Sequence, residues 1–549
     1  MSVIKKLHLY LATIFHLKVS QIYYQIVARV RVVSVQKISP YSFRGMDGWP
    51  LVSYYESSTR DGAVFNFLGE LGNAESIDAR SKLWRYNFHY HNDLNPKDSR
   101  DGEMLCSVLI NDWIKANPPG AGDGWEPYCL SLRIVNWVKF FSRLSSVQLP
   151  PSWIESLLMQ GHYLERQIEY HVLGNHILAN AKALVFIGSY IGGDDGDRWL
   201  NIGVNLLEQE LSEQFLVDGG HFERSPMYQA TLLWDLADLI KLQRLSNLSI
   251  LDSRVARWEG LFDRGYKWLS HMVHPDGEIS FFNDATFGVA PTLCELERYA
   301  EVIGIQLNRP PYTSCLYGAL IQPSGFGRLD WPEGHRLLVD VAPVGPDYQP
   351  GHAHADTLSC ELSLFGQRVL VNSGISQYGE DAERHRQRST PAHNTVAVNG
   401  ENSSEVWAGF RVARRAMPFA VDLVQGAEEI LLTASHDGYR RLPGSVTHCR
   451  KWHAQSQQLS IEDQLDGRFQ IAAAYWHFHP DIRVRQINDV HFVAEMPQGQ
   501  SVDILVEGGA AVLRDGIWHP GFGKSVPNKH LEIGFQGSKL LTLIKWRSA

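Results

Sequence analysis

The sequence predicts two domains of opposite class, a run of helical hairpins followed by an antiparallel β-sandwich. Three observations carry this reading. Residues 82–304 repeat apolar side chains at helical spacing, and from residue 311 onward the period falls to two. Between them, the run Asn308, Arg309, Pro310 and Pro311 breaks any helix. The length of 549 residues also exceeds what one hydrophobic core supports. The expected division is therefore a helical extension at 1–80, a helical domain at 81–310 and a β domain at 311–549.

Each element follows from its local pattern. Residues 7–33 read as an amphipathic helix within the N-terminal extension. After Pro150 and Pro151, Ser152 and Glu155 have the spacing of a capping box, and Ile154, Leu157, Leu158, Leu164 and Ile168 mark one face. Further helices are expected at 177–191, 202–215, 228–245 and 258–273, with Gly, Pro, Asn and Asp between them. In the second half, residues 357–365 alternate, setting Leu358, Cys360, Leu362 and Leu364 on one face and polar groups on the other. Residues 336–344, 367–371, 395–398, 430–434, 458–462 and 540–546 read as further strands. Many short strands joined by turns imply a sandwich.

Composition narrows the function classes. With 44% hydrophobic and 20% charged residues the chain is ordinary globular protein. A net charge of −9 argues against a nucleic-acid partner, because such binding needs a broadly basic face. The 16 Trp and 21 Tyr suit sugar faces as well as cores. Cys106, Cys129, Cys294, Cys315, Cys360 and Cys449 show no paired spacing and read as reduced thiols. No stretch reaches the ~20 apolar residues of a membrane span. His8, His16 and Lys18 interrupt the apolar start, so cytoplasmic residence is expected, with the periplasm as the alternative.

Five segments concentrate titratable groups. In the run from Gly351 to Asp356, His352 and His354 stand at i and i+2, which puts both on one side of an extended chain, able to share a metal ion or to divide between metal and substrate. Arg384, Arg386 and Arg388, extended by Arg411, Arg414 and Arg415, form a positive cluster suited to bidentate pairing with carboxylate or sulfate. The runs 171–176 and 218–228 place polar groups beside glycines where helices begin. The run 275–284 offers turn residues and carboxylates without a decisive pattern.

Taken in order, these motifs resemble the heparinase II/III-like superfamily of polysaccharide lyases, which includes alginate lyases. The likeness runs over residues 83–546 and is strongest at 345–416, in the stretches 350–358, 389–395 and 407–412. It implies an (α/α) toroid joined to the sandwich with an active cleft between them. The implied reaction is β-elimination at a uronic acid of an acidic polysaccharide. By the same resemblance Asn175, with His176 beside it, neutralises the substrate carboxylate. Tyr228 is the general acid toward the leaving oxygen, with Arg224 or His352 as a source of positive charge for any role as base. His352 is the base or the partner of that tyrosine. Arg388, Arg224, Glu223, His221 and Trp125 are the candidate substrate contacts. His354 and His393 match a structural zinc site whose third position falls on Asn372, an amide that binds zinc less well than a carboxylate. No organic cofactor is implied. Two other readings keep the scaffold: a uronate C5-epimerase, which removes the same proton, and a non-catalytic polysaccharide-binding protein. A metallohydrolase lacks a motif such as HExxH. Oligomeric state is left open.

Overall fold

The computed structural model of the chain describes residues 3–34, 38–97, 102–144, 149–308 and 315–547. Asn308 is described, while Arg309, Pro310 and Pro311, where the helical pattern ends, lie outside the described residues.

The helical half is an (α/α) toroid built from Lys82–Tyr90, Gly102–Ala116, Pro127–Phe141, Pro151–Arg166, Gly174–Tyr190, Asp194–Gln214, Pro226–Ser246, Ser249–His271 and Leu293–Val302. Its core is aromatic, with Trp137, Trp199, Trp258 and Trp268 fully buried. Helix Gly174–Tyr190 lies against Asp194–Gln214 with backbones touching. A Cβ on Gly188 would come within 2.6 Å of the Leu200 nitrogen, and one on Gly203 within 2.7 Å of the Val185 nitrogen. These contacts hold the C-terminal part of Gly174–Tyr190; Asn175 and His176 stand at the other end of the same helix.

Two expectations for this half are corrected. The N-terminal segment 7–33 forms two helices, Val3–Ile14 and Val19–Val30, because the Gln21 side chain turns back to accept the Lys18 amide at 3.0 Å and starts a new helix there. Helix Pro151–Arg166 has Pro150 as its N-cap and no side-chain cap. Pro151 presets the first turn, and Ser152 lies inside the helix. Its expected apolar face, Ile154, Leu157, Leu158, Leu164 and the following Ile168, is buried.

The second half is antiparallel. A five-stranded meander, Tyr317–Ile321, Phe326–Asp330, Arg336–Asp340, Cys360–Leu364 and Gln367–Leu370, pairs in chain order. An eight-stranded sheet and a four-stranded sheet complete the sandwich, which closes over Trp331, Trp452, Trp476 and Trp546. Along the meander the strand expected at 357–365 begins only at Cys360, since Leu358 adopts a left-handed backbone with φ 62°.

The polar side of that strand does not face water. Glu361 and Ser363 are fully buried against the toroid. Glu361 accepts His274 Nε2 at 2.9 Å and the backbone amides of Phe281 and Asn372 at 3.0 and 2.7 Å. Ser363 Oγ meets His274 Nδ1 at 2.7 Å. One carboxylate thus joins the last toroid loop to two strands of the sandwich. Glu361→Ala strands three buried donors and is expected to lower stability in urea unfolding by about 3 kcal/mol. Glu462→Ala, which removes only a half-exposed partner of Lys451, is expected to stay within about 0.5 kcal/mol.

Candidate active site

Three toroid segments and two sandwich loops converge on one cluster. Each toroid segment carries a non-glycine residue with a left-handed backbone next to the group it presents: Leu173 at φ 65°, Arg224 at φ 57° and Asn283 at φ 57°. Leu173, with ψ −159°, occupies a region that suits glycine almost alone. The side chain of Asn283 fastens the segments together, its Nδ2 donating to the Arg224 carbonyl at 3.0 Å and its Oδ1 accepting the His354 amide at 3.0 Å.

Asp284 is the hub. Its fully buried carboxylate accepts His352 Nδ1 at 2.9 Å on one oxygen and His354 Nε2 at 2.8 Å on the other. Arg384 spans both oxygens, at 2.5 and 2.7 Å. Burial alone would raise this carboxyl, but the Arg384 charge and the two histidine bonds hold it well below the usual carboxylate range. Asp284 is therefore an anion that fixes the tautomers of both histidines. His352 is left with Nε2 directed at Glu223, whose Oε2 is 3.9 Å away. Its ring lies 4.2 Å from that of Tyr228, centroid to centroid.

The Tyr228 hydroxyl meets the Tyr378 hydroxyl at 3.0 Å. Burial, then the neighbouring Tyr378, Asp284 and Glu223, push its pKa well up, so the phenol stays protonated at neutral pH. His176 behaves oppositely. Burial would lower its pKa, yet the Glu169 carboxylate, accepting Nδ1 at 3.0 Å, raises it. Tyr128 covers its ring at 4.4 Å. Asn175 Oδ1 and both Glu223 oxygens are buried without a hydrogen-bond partner among the described residues. Burial raises the Glu223 pKa, offset only in part by His352. Unpaired buried polar atoms from two segments, facing a histidine, are what a site for a polar ligand requires.

The expected residues therefore separate. Asn175, His176, Glu223, Tyr228 and His352 come together. His221 lies buried behind Tyr228, its Nε2 3.2 Å from Gln214 Oε1, and burial lowers its pKa to about 3. Arg224 turns away, donating Nε to the Ser324 carbonyl at 2.9 Å. The cation beside the tyrosines is Arg384, whose guanidinium lies 5.1 Å from the Tyr378 ring.

Arg388 is not a substrate clamp: it is fully buried and donates to the carbonyls of Ala353, Ala408, Gly409 and Arg411. Trp125 is a core residue, packed 4.9 Å from Tyr163 and bonded to the Asn117 carbonyl. The other arginines of the cluster are also engaged, Arg386 with Glu383, Arg414 with Glu405, Arg415 with Asp347 and Arg411 over Trp407.

A second cluster lies behind His352. His354 Nδ1 and His393 Nε2 face each other at 3.0 Å. Their outer nitrogens donate to Asp284 and, at 2.8 Å, to the Ser389 carbonyl. Both inner nitrogens therefore carry lone pairs, and two lone pairs at this distance repel unless a cation or proton lies between them. Burial lowers both histidines to about 4, which keeps them neutral. Asp356 completes a buried set whose ligand atoms lie within 4.8 Å of one another. Asn372 takes no part. Its amide donates to the Phe281 carbonyl at 3.0 Å and accepts the Asn394 amide at 3.1 Å. The carboxylate that stands with the two histidines is Asp356, two residues beyond His354, and not a residue at 372.

Sequence reasoning missed Asp284, Tyr378, Glu169 and Asp356 as site residues, and named Arg384 as a carboxylate partner without identifying Asp284 as that carboxylate. Asp356 carried a readable signal, since it extends the i, i+2 spacing of the histidine pair. The others sit far apart in sequence, and only the fold assembles them.

Comparison with known proteins agrees with this architecture. Residues 78–303 match the model of the heparinase II/III N-terminus, and residues 318–547 match the heparinase II/III-like C-terminal model. FtsZ-localized protein C of Caulobacter vibrioides is 25% identical over 420 residues, covering 71% of this chain and 68% of that one. Heparin-sulfate lyase of Bacteroides thetaiotaomicron is 28% identical over 341 residues, covering 54% of this chain but only 47% of the lyase. The crystal structure of heparinase III superposes with a TM-score of 0.71 at 17% identity over 96% of this chain and 89% of that one. With both halves matched in order across the two domains described above, the chain belongs to the heparinase II/III-like superfamily.

Proposed function

We propose that the chain is a polysaccharide lyase that cleaves a uronic-acid-containing acidic polysaccharide, a glycosaminoglycan or a related polymer, by β-elimination. The observation that carries this reading is the pairing of a protonated, half-buried Tyr228 with His352, whose Nδ1 is fixed by Asp284 and whose Nε2 makes no hydrogen bond among the described residues. An imidazole with a defined tautomer is a competent base near neutral pH, and a phenol with a raised pKa is a competent acid.

The chemistry divides among these residues. His352 Nε2 takes the C5 proton of the uronate. The released electron pair forms the C4–C5 double bond, and the C4–oxygen bond breaks. Tyr228 gives its proton to the leaving oxygen and is restored from the His352 imidazolium stacked on it. Negative charge gathers on the uronate carboxyl as C5–H opens, and stabilising it there lowers the barrier. His176, whose charged form Glu169 favours, and the Asn175 amide meet that charge. Glu223, whose pKa burial raises, repels that charge less readily than an exposed carboxylate would.

We further propose that His354, His393 and Asp356 hold a structural zinc ion. Nitrogens 2.0–2.1 Å from a tetrahedral zinc lie about 3.3 Å apart, near the 3.0 Å separation here. The outer bonds to Asp284 and Ser389 are the kind that orient metal-bound imidazoles. The ion would supply charge and rigidity behind the base, without touching substrate.

Four outcomes are expected. On a panel of uronate polymers in heavy water, the wild-type chain should yield unsaturated ends. C5 deuterium without chain cleavage would instead assign the scaffold to epimerisation. Tyr228→Phe and His352→Ala should each lower kcat by about 10²–10⁴-fold with unchanged far-UV circular dichroism, and near-normal turnover in either would remove the assignment.

For pH, a histidine pKa raised in the folded state keeps the cation below that pKa and loses it as pH rises through it. Activity should therefore fall on the alkaline side of the His176 titration, and Glu169→Gln should move that limb to lower pH. An unmoved limb would separate His176 from catalysis. Elemental analysis should find about one zinc per chain in the wild type and none in His393→Ala, with a lower melting temperature on chelation. A metal-free, chelator-insensitive protein would exclude the ion.

A further inference from the structure

The N-terminal hairpin presents its apolar faces outward. Along Val3–Ile14, Ile4, Leu7, Leu11 and Ile14 fall on one side at helical spacing and are exposed, Ile4 by 82%. Phe15, just after that helix, is 87% exposed. Along Val19–Val30 the residues Val19, Ile22, Tyr23, Ile26 and Val30 do the same, Val19 by 82%. The side that docks on the protein is in large part polar. Thr13 Oγ1 accepts the Trp407 indole at 3.0 Å, and Gln21 donates to the Tyr348 carbonyl at 3.3 Å. Ordinary surface helices have the reverse arrangement. Contiguous exposed apolar surface of this kind marks an interaction site.

Charge selects the partner. Within residues 1–46 the charged side chains are Lys5, Lys6, Lys18, Arg29, Arg31, Lys37 and Arg44, and the first acidic residue is Asp47. The whole chain has a net charge of −9, so this segment is opposite in sign to the rest. Lys6 and Arg29 are exposed beside the apolar faces. Apolar faces flanked by basic residues, with no helix among the described residues long and apolar enough to cross a membrane, are the features of helices that lie in the lipid interface.

The hairpin is also fastened to both walls of the site. Leu9 packs with Trp407 and Ala413 of the sandwich, while Lys18 pairs with Glu213 and Tyr24 stacks 4.8 Å from Tyr170 on the toroid. Trp407 is three residues from Phe410, whose ring lies 6.0 Å from that of His352. We propose that this hairpin is a docking face for an anionic lipid bilayer, holding the cleft beside the membrane surface. The proposal does not depend on the reaction assigned to the cleft.

The test is co-sedimentation of the full chain with vesicles of phosphatidylcholine, alone or mixed with phosphatidylglycerol, alongside light scattering of the protein by itself. The chain should pellet with the mixed vesicles and much less with the neutral ones. Leu11→Glu combined with Ile26→Glu should abolish pelleting. Lys6→Glu combined with Arg29→Glu should weaken it by about tenfold. All four positions are exposed, and an unchanged melting curve confirms that each variant folds. A chain that stays in the supernatant with both vesicle types overturns the proposal. So does a dimer that the Leu11→Glu, Ile26→Glu pair dissociates without any vesicle binding, which would give the face to a second copy. Equal binding to neutral vesicles overturns the anionic specificity.

Discussion

The site depends on one buried anion. Asp284 holds two histidines and an arginine with two oxygen atoms, the histidines from one loop and the arginine from a segment some thirty residues further on. A carboxylate without such partners could not remain ionised in this setting. Arg384 makes burial of the charge tolerable, and the charge in turn sets which nitrogen of each histidine bears a proton. The toroid supplies the acid and the sandwich supplies the histidines and the arginine, so the bond between domains and the preparation of the base are one interaction. Glu361 repeats the device nearby, accepting His274 of the toroid with one oxygen and the sandwich amide of Asn372 with the other.

Around this hub the protein keeps some groups deliberately short of partners. Glu223 and Asn175 stand buried with unmatched oxygens, a state that costs roughly 1–3 kcal/mol for each group. A rigid framework tolerates such groups where a ligand will match them. The contrast between Tyr228 and His176 comes from their neighbours. The phenol is surrounded by carboxylates and another phenol, which keep its proton in place. The imidazole lies against the Glu169 carboxylate, which with Glu223 favours its charged form.

The change from helical to two-residue period was legible because it needs only local pattern, and the motifs at 174–176, 228 and 352–354 were legible because their residues are adjacent. The arginine cluster was misread for a physical reason. The cluster was read as available to a ligand's carboxylate or sulfate, yet Arg384 and Arg388 are buried where the protein's own carboxylate and loop carbonyls need donors. The polar face of 357–365 failed in the same way, since alternation shows that two faces differ without showing that one is wet. Trp125 and Asn372 were assigned from the family resemblance, and packing and hydrogen bonds engage them elsewhere. Asp284 lies 68 residues from His352 and 100 from Arg384, so its role exists only once the two domains meet.

Leu173 gives the last consequence. A leucine in a conformation suited to glycine stores torsional energy of about 1–3 kcal/mol, and its side chain, packed against the toroid core, prevents its release. A glycine there would relax the backbone and surrender the wedge that aims Asn175. The domain can carry this debit only while its tryptophan-rich interior keeps stability in reserve. Evolutionary drift in that distant interior would thus narrow the range of sequences able to keep the amide in place, long before any residue of the cleft had changed.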